Sequence, residues 1–452
     1  MEKSFESFKQ KIGQFSLKDK VLLIPEMNRI GALLLAGVFR SFGIQAKMMD
    51  TYDGLALGKK YTSGKECFPC QVTLGDILHC MQKEKERLGP NFDVGRYVYF
   101  MPESEGPCRF GMYNKLHRII LDSFQHLRDM KIAALTSKDS YTIGELLEKE
   151  HARRFRRSAY YSMIVGDILD RVLWRIRPYE KKEGKAEAYI EKATHRMVAL
   201  FERYGFEKNF KKIREALEEI TMGAKEIIDP SLPRRPLIGI VGEIYLRSHV
   251  ESNQHIIKML EKLGGEVVNA SVGEWINYTT YDRIRETKRD LISCMRVRDF
   301  TNMKALLKKL VKFKIDLTYQ YYRQNELYKL VQRHLDIKDD HNIAHLEKIL
   351  KKYDMYDFET GTEACLSISG AIEYASEGYN GVVNVFPFTC MPSTITSSIV
   401  KPFMNNLRVP YVDSVYDGSF QPVREATLRT FMYQAYQHFE RNSKGMLKTP
   451  LH

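Results

Sequence analysis

Residues 64–76 read Gly64-Lys65-Glu66-Cys67-Phe68-Pro69-Cys70-Gln71-Val72-Thr73-Leu74-Gly75-Asp76. The two cysteines lie on a predicted tight turn, just before a stretch whose apolar residues recur at helical spacing. Gly64 permits the backbone angles of a tight turn. Pro69 suits a first helical position, because the N–H that it lacks would have no partner there. We therefore predict that a helix starts at the two cysteines.

The apolar residues after this turn predict the buried face of the helix, and they are Val72, Leu74, Ile77, Leu78 and Met81. A helix start gathers unpaired N–H groups and the positive end of the helix dipole. Both favour thiolates and the sulfides of an iron-sulfur cluster. The stretch is therefore a predicted anion site and a predicted cluster-binding helix start.

Length and composition indicate a globular chain of several domains. At 452 residues the chain is too long for one ordinary core, so two or three domains are expected. The formal charge of +13 raises the question of nucleic acid. The basic residues are interspersed with glutamates in the helical middle, so solvated helix faces explain most of the charge and nucleic acid is disfavoured. An acidic protein partner is the next interpretation, because a positive surface speeds docking to a negative one.

The N-terminus and the number of cysteines indicate the cellular compartment. Residues 1–9 carry charge where a signal peptide needs an apolar core, and no apolar run reaches membrane-spanning length. We expect a cytoplasmic protein without a membrane partner. Seven cysteines in so long a chain do not make a disulfide framework, which leaves metal binding, redox chemistry or inert burial.

Alternating strand and helix patterns predict a first α/β lobe over residues 1–140. Its predicted strands are residues 20–25, 44–49, 96–100 and 131–135. Ligands of open parallel sheets collect beyond the carboxyl ends of the strands. Cys67 and Cys108 are expected on that rim.

The rest of the chain divides by pattern into a helical connector and a second lobe. Residues 141–232 show helical periodicity and end at a proline-rich run, which marks a boundary. The predicted second α/β lobe comprises residues 233–282 and 353–452, with a lysine-rich helical cap over 283–352. A buried strand from Gly381 delivers Cys390 to its carboxyl end, and a last strand is expected over 406–413. The predicted fold is α/β, with parallel sheets in two lobes and helical insert segments.

Three cysteines share a predicted environment, namely a loop after a strand, next to glycine or proline: Cys67, Cys108 and Cys390. Cys80 and Cys294 lie within helical patterns, where a small apolar thiol usually packs in a core. Cys365 stands at the start of a predicted helix, and a structural role is favoured over ligation.

Cys70 follows Cys67 by three residues, a spacing that lets both thiolates reach one metal. The alternatives for this pair are a redox dithiol and a zinc site. A structural zinc site usually needs a second close pair, which the chain lacks, and a redox dithiol would not explain Cys108 and Cys390. Iron-sulfur ligation by scattered thiolates fits better. Loop cysteines that occur by chance stay an alternative.

Polar residues near the predicted strand ends have both a functional and a structural interpretation. Glu243, Tyr245 and Arg247 follow a strand and either face the cleft or belong to a solvated loop. Glu66 and Arg109 flank the cysteines, where they either tune a cluster or hold a substrate carboxylate or thioester, or form a simple ion pair. The glycines form no phosphate-binding fingerprint, so no nucleotide site is expected.

Seven motifs follow one another along the chain. They are Gly64-Lys-Glu-Cys-Phe-Pro69 with Gly75-Asp76, Gly106-Pro-Cys-Arg-Phe-Gly111, Gly242-Glu-Ile-Tyr-Leu-Arg247 with Asn253, Gly264-Gly-Glu-Val267, Glu274-Trp275, Phe386-Pro-Phe-Thr-Cys-Met-Pro392 and Phe431-Met-Tyr-Gln-Ala435. Together they resemble proteins related to the 2-hydroxyacyl-CoA dehydratases. Within that family the chain is most similar to the cluster-binding portion of acyl-CoA dehydratase activase-related proteins, without their ATP-binding activase domain.

The resemblance implies two Rossmann-like lobes with an iron-sulfur cluster between them. Matching residues carry over as Cys67, Cys108 and Cys390, with Cys70 as an extra ligand to be considered. A 4Fe-4S cluster is expected, and a double-cubane 8Fe-9S cluster is the less favoured alternative. The implied electron donor is an ATP-dependent activase, itself an iron-sulfur dimer.

The resemblance also implies reductive or dehydratase chemistry on an acyl-CoA or another small molecule. The contrasting hypothesis is a non-catalytic protein, either an iron-sulfur carrier or a zinc-stabilised scaffold that binds a protein or nucleic acid. The sequence leaves the oligomeric state open, a homo-oligomer included.

Overall fold

Two parallel sheets organise the chain in the structure, a computed structural model that describes residues 10–104, 106–136, 149–207 and 210–443. The first sheet has five strands and the second has four. The strands are β1 (Ile12–Gly13), β2 (Val21–Ile24), β3 (Gln45–Met48), β4 (Tyr97–Phe100), β5 (Lys131–Ala133), β6 (Leu237–Gly242), β7 (Glu266–Asn269), β8 (Gly381–Pro387) and β9 (Tyr411–Tyr416).

Helices cover the sheets and connect them, so the predicted α/β class with two Rossmann-like lobes and helical segments is confirmed. In chain order the helices are α1 (Arg29–Ser41), α2 (Leu55–Lys60), α3 (Phe68–Leu88), α4 (Tyr113–Ser123), α5 (Lys149–Ile176), α6 (Lys185–Tyr204), α7 (Lys211–Lys225), α8 (Ile244–Ser248), α9 (Ile256–Lys262), α10 (Val272–Val297), α11 (Phe300–Gln332), α12 (Ile343–Tyr353), α13 (Thr362–Ser376), α14 (Met391–Leu407) and α15 (Arg424–Ser443).

The two sheets repeat one strand order. The first runs β1-β5-β4-β2-β3 and the second runs β7-β6-β8-β9, with every neighbouring pair parallel. In each sheet two crossovers leave neighbouring strands in opposite directions, from β2 and β4 in one lobe and from β6 and β8 in the other. Such a switch point opens a crevice at the carboxyl ends of the strands, where ligands bind.

The segments between the lobes are helical, as the periodicity predicts. Helices α5, α6 and α7 fill the described part of the connector, and residues 141–148 of that prediction lie outside the described residues. Helices α10, α11 and α12 make up the predicted cap region. The predicted domain boundary at residues 282 and 283 falls inside α10, which is continuous there.

Two elements of the second lobe begin later than the patterns predict. The last strand starts at Tyr411 rather than at residue 406, because α14 continues to Leu407 and Arg408 ends it in a left-handed conformation. Helix α9 starts at Ile256 rather than near residue 252. The preceding residues form turns, and His255, like Arg408, has a positive φ. Both starts are delayed by backbone turns that apolar spacing does not reveal.

In the described ranges of the chain, no helix combines the length and the apolar character that crossing a membrane requires. This finding agrees with the sequence, in which no apolar run reaches that length.

Glycines allow α2 to pack directly on the helix that carries the first two cysteines. A Cβ atom at Gly75 of α3 would overlap the Gly54 carbonyl oxygen, and one at Gly58 would overlap the Gln71 carbonyl oxygen. The two backbones therefore approach each other without intervening side chains. This contact fixes the start of α3 against lobe one.

We expect Gly75→Ala to lower the free energy of unfolding by about 1–3 kcal/mol, because the added methyl group must push backbone apart. Urea unfolding followed by circular dichroism measures the change. Gly370→Ala in α13 is the matched control, since its nearest neighbour is the His341 side chain at 3.3 Å. The control should change stability by less than about 1 kcal/mol. Equal effects of the two substitutions would contradict this account of the helix crossing.

Candidate functional site

Three cysteines occupy the same structural position, the residue that immediately precedes a helix. Cys67 precedes α3, Cys390 precedes α14, and Cys108 precedes a short 3-10 helix, Arg109–Met112. All three have extended backbone angles, with φ between −63° and −70°, and none of the side chains caps its own helix. The first turn of a helix leaves N–H groups unpaired, so each cysteine adjoins backbone donors at its helix start.

The prediction that each cysteine lies on a loop directly after a strand is confirmed for two of the three. Cys108 follows β4 and Cys390 follows β8, as the strand patterns predict. Before Cys67 the short helix α2 intervenes between β3 and the loop. Six residues with a central glycine give too weak a periodicity to predict that helix. The turn at Gly64 has the positive φ expected of it.

Arg109 joins the three cysteine loops, two from the first lobe and one from the second. Its guanidinium donates to the Lys65 carbonyl oxygen at 2.9 Å and to the Thr389 carbonyl oxygen at 2.9 Å. Lys65 lies two residues before Cys67, Thr389 lies directly before Cys390, and Arg109 itself follows Cys108. One side chain thus draws the three helix starts to one place between the lobes.

The thiols at this place are shielded from water. Cys67 and Cys390 are buried and Cys108 is half-buried. Burial raises the pKa of Cys67 and of Cys390 to about 12, and it also raises the pKa of Cys108. Burial therefore raises these pKa values by more than the helix starts lower them, and in the metal-free chain the three groups are neutral thiols at neutral pH.

Two buried glutamates face the three thiols, and their charges raise the pKa of each one further. Glu243 precedes α8 and accepts hydrogen bonds from the N–H groups of Tyr245 and Leu246 at 3.0 and 2.9 Å. Burial, followed by the charge of Glu363, raises the pKa of Glu243 to about 7. Burial also raises the pKa of Glu363, one of whose oxygens has no hydrogen-bond partner.

Arg247 lies behind these glutamates and ties two strand ends together. It is 1% exposed and donates to the carbonyl oxygens of Gly242 and Ser271 at 3.1 and 3.3 Å. Its charge lowers the pKa of both glutamates, although burial dominates. Glu243, Tyr245 and Arg247 are all buried, so the alternative of a solvated loop is wrong.

Cys70 lies deeper in the first lobe than Cys67. Its sulfur is 3.5 Å from Nε2 of His117, whose other ring nitrogen is 3.4 Å from the Tyr99 hydroxyl. Burial raises the pKa of Cys70 and lowers the pKa of His117 to about 4. Cys67 is close enough to raise the pKa of Cys70 as well. Whether Cys70 is a ligand stays a prediction.

The remaining cysteines lie on helices, as predicted, with Cys80 in α3, Cys294 in α10 and Cys365 in α13, but Cys80 and Cys294 are half-buried and not core residues. Glu66 accepts hydrogen bonds from the backbone N–H and the hydroxyl of Ser63. Among the described residues neither Glu66 nor Arg109 forms an ion pair, so the simple ion pair considered for them is not observed.

A network of buried hydrogen bonds that includes a residue of α3 was not predicted from the sequence. The Asp76 carboxylate accepts from the Thr51 hydroxyl at 2.7 Å, and that hydroxyl is 3.0 Å from Nε2 of His249. Nδ1 of His249 is 2.7 Å from the Ser252 hydroxyl. These hydrogen bonds link the first lobe to the second. Their one signal in the sequence is the Asp76 carboxylate within the apolar face of a predicted helix.

Within the described residues, no three side chains of histidine, cysteine, aspartate or glutamate form a group that could hold a metal ion. A multinuclear cluster distributes its thiolate ligands over several irons, so those ligands need not converge on one point. Three shielded thiols at helix starts are a donor set whose chemistry suits such a cluster.

No protein-family model matches the sequence, and no curated protein matches it either. The relation to the 2-hydroxyacyl-CoA dehydratases stays a prediction from the motifs.

We expect Arg109→Ala to expose the cysteine loops, because the carbonyl oxygens of Lys65 and Thr389 lose their shared donor. In metal-free protein, alkylation of Cys67, Cys108 and Cys390 should become about tenfold faster, equivalent to roughly 1.4 kcal/mol of local opening free energy. Mass spectrometry of the labelled peptides measures each rate. Arg128→Ala, whose exposed side chain donates to the Asp122 carbonyl oxygen, is the control. Unchanged labelling in Arg109→Ala would show that the arginine does not hold the loops.

We expect Asp76→Asn to change how stability depends on pH. Burial raises the pKa of Asp76 from 3.8 to about 7. The folded state therefore binds more protons than the unfolded state between these values, and the free energy of unfolding falls as pH rises from about 4 to 7. Asparagine lacks this dependence, so the variant should gain stability relative to the parent across that window, by up to a few kcal/mol.

Denaturant unfolding at several pH values between 4 and 8 measures this difference, with Asp53→Asn as the control for removing one carboxylate. A stability difference between Asp76→Asn and the parent that is constant across the range would contradict a protonated, buried Asp76.

Proposed function

We propose that this chain is an iron-sulfur protein related to the 2-hydroxyacyl-CoA dehydratases. In this proposal it accepts low-potential electrons from an ATP-dependent activase and uses them for reductive or dehydratase chemistry. The observation that supports it is the convergence of Cys67, Cys108 and Cys390, from loops of both lobes, around one arginine.

The ligands in this proposal are Cys67, Cys108 and Cys390, with Cys70 as a candidate fourth. Since burial keeps these thiols protonated in the metal-free chain, ligation must release their protons. The helix starts then provide N–H groups beside each sulfur, which stabilise the negative charge that forms. A bound cluster with three thiolate ligands would supply electron transfer and one iron that is open to a substrate.

The chain's own residues also control protons and water at the cleft. Glu243 has a pKa of about 7, so near neutral pH it exists in both protonation states and can hold or release a proton there. Glu363 lies beside it with an unpartnered oxygen. The burial of both glutamates keeps water from the thiols and would protect a reactive intermediate.

The proposed partners follow from the charge and from the motifs. A formal charge of +13 suits docking of an acidic electron donor, here the activase, itself an iron-sulfur dimer. An acyl-CoA or another small molecule is the proposed substrate, and the cytoplasm the proposed location.

We expect anaerobically purified protein to contain about four irons with matching acid-labile sulfide per chain. Cys67→Ser, Cys108→Ser and Cys390→Ser should each lose most of both, because each removes a ligand. Iron, zinc and sulfide analysis measures this, and about eight irons would indicate a double cubane. Cys294→Ser, on α10, is the control and should keep its iron.

Other results would favour the contrasting hypotheses. Zinc without sulfide, or iron that is indifferent to these three cysteines, would contradict the proposal and favour a zinc-stabilised scaffold. A cluster that assembles fully but accepts no electron from an ATP-dependent activase would favour a non-catalytic carrier.

A further inference from the structure

A cavity of about 300 Å³ lies between the lobes, beside the cysteine loops but largely outside them. Its walls come from both lobes and from helices α5, α10 and α11. Glu243 and Glu363 line one section of it, where it adjoins the candidate cluster site. A volume of this size is at the lower end of the range for small-molecule sites.

The lining of the cavity is mainly apolar and aromatic. Side chains from α1, β4, α5 and α10 are among those that line it, and they are Phe39, Phe100, Phe155, Met163, Trp275 and Ile276. Such a lining favours an apolar ligand, because both surfaces leave water when the ligand binds.

A second section of the lining is cationic. Arg156 and Arg157 reach it from α5, and Asp316 and Tyr319 reach it from α11. Arg156 is paired with Asp316 at 2.8 Å. Arg157 lies over the Tyr319 ring, 4.6 Å from its centroid, and within the described ranges it has no carboxylate partner. Arg157 is therefore a half-buried cation that is available to a ligand.

The chemistry of Arg157 selects the head group of that ligand. A guanidinium presents parallel N–H donors that match the two oxygens of a carboxylate. Contact with the Tyr319 ring restrains the guanidinium, which reduces the entropy lost when a carboxylate binds. Among the described lining residues Arg156 is paired with Asp316, which leaves Arg157 as the cation for one negative charge. Glu243 and Glu363 enter the lining from the second lobe, whereas Arg157 enters it from α5.

We propose that this cavity binds a small apolar carboxylic acid, with its carboxylate on Arg157 and its apolar part along the aromatic lining. This inference goes beyond the proposed function and does not require the cluster, so the two can fail separately. Binding is measurable whether or not iron is present.

The probes are 4-phenylbutyrate and its uncharged analogue 4-phenylbutan-1-ol, titrated into the full chain by calorimetry. We expect saturable binding of the acid, at least tenfold tighter than binding of the alcohol. Trp275 reports the place of binding, because the chain has only one other tryptophan. In a Trp174→Phe background the acid should change the Trp275 fluorescence with the same dissociation constant.

Two variants test the two halves of the proposed site. Arg157→Gln should weaken binding of the acid by about tenfold or more and leave the alcohol unchanged, since only the charged hydrogen bonds are lost. Ala159→Phe, whose new ring would occupy the cavity next to Arg157, should abolish binding of both probes. Arg153→Gln, an exposed arginine on the same helix, is the control and should bind both as the parent does.

The proposal is overturned if neither probe binds saturably, if the alcohol binds as tightly as the acid, or if Arg157→Gln leaves binding of the acid unchanged. Circular dichroism checks that each variant is folded. If Ala159→Phe does not fold, Arg157→Gln still decides, because its side chain is only half-buried and its loss leaves the apolar lining intact.

Discussion

Two aspartates on one face of α5 hold the lobes in their places. The Asp167 carboxylate accepts from the backbone N–H groups of Val272 and Gly273, at 3.1 and 2.8 Å, where α10 begins. Three residues on, Asp170 accepts from the Asn28 side chain at 2.6 Å, and Asn28 also caps α1. Asp167 therefore binds the second lobe, and Asp170 binds the first. The cleft between the lobes, with the cysteine loops and the cavity, therefore depends on this helix.

Fixing the lobes has an electrostatic consequence at the cleft. Thiols and carboxyls that arrive there from both lobes are buried together, and burial disfavours their charged forms. The raised pKa values of Cys67, Cys390 and Glu243 all have this as their largest cause. At neutral pH the cost falls on the glutamates, which are ionised in the unfolded chain, whereas the thiols are neutral in both states. Such local conflicts are typical of functional sites, which other parts of a fold must offset.

The sequence predicts features that are local along the chain. Apolar runs that end at glycine or proline place the strands before Cys108 and Cys390, and the spacing after Gly64 places α3. What joins these features is not local, since Arg109 reaches Thr389 across 280 positions. The same limit applies to Asp76 and His249, because their link through the Thr51 hydroxyl depends on how the two sheets face each other. Short α2 was missed because direct contact between glycines, not an apolar stripe, stabilises it.

The arrangement distinguishes Cys70 from the other three cysteines on physical grounds. Cys67, Cys108 and Cys390 each precede a helix, where the backbone is extended and N–H groups are unpaired. Cys70 lies within the first turn of α3, and its sulfur contacts His117 in the core of the first lobe. The spacing of Cys67 and Cys70 is equally compatible with a shared metal and with one ligand beside one core thiol. The helix geometry favours the second interpretation, and it leaves three thiols that each precede a helix at the cleft.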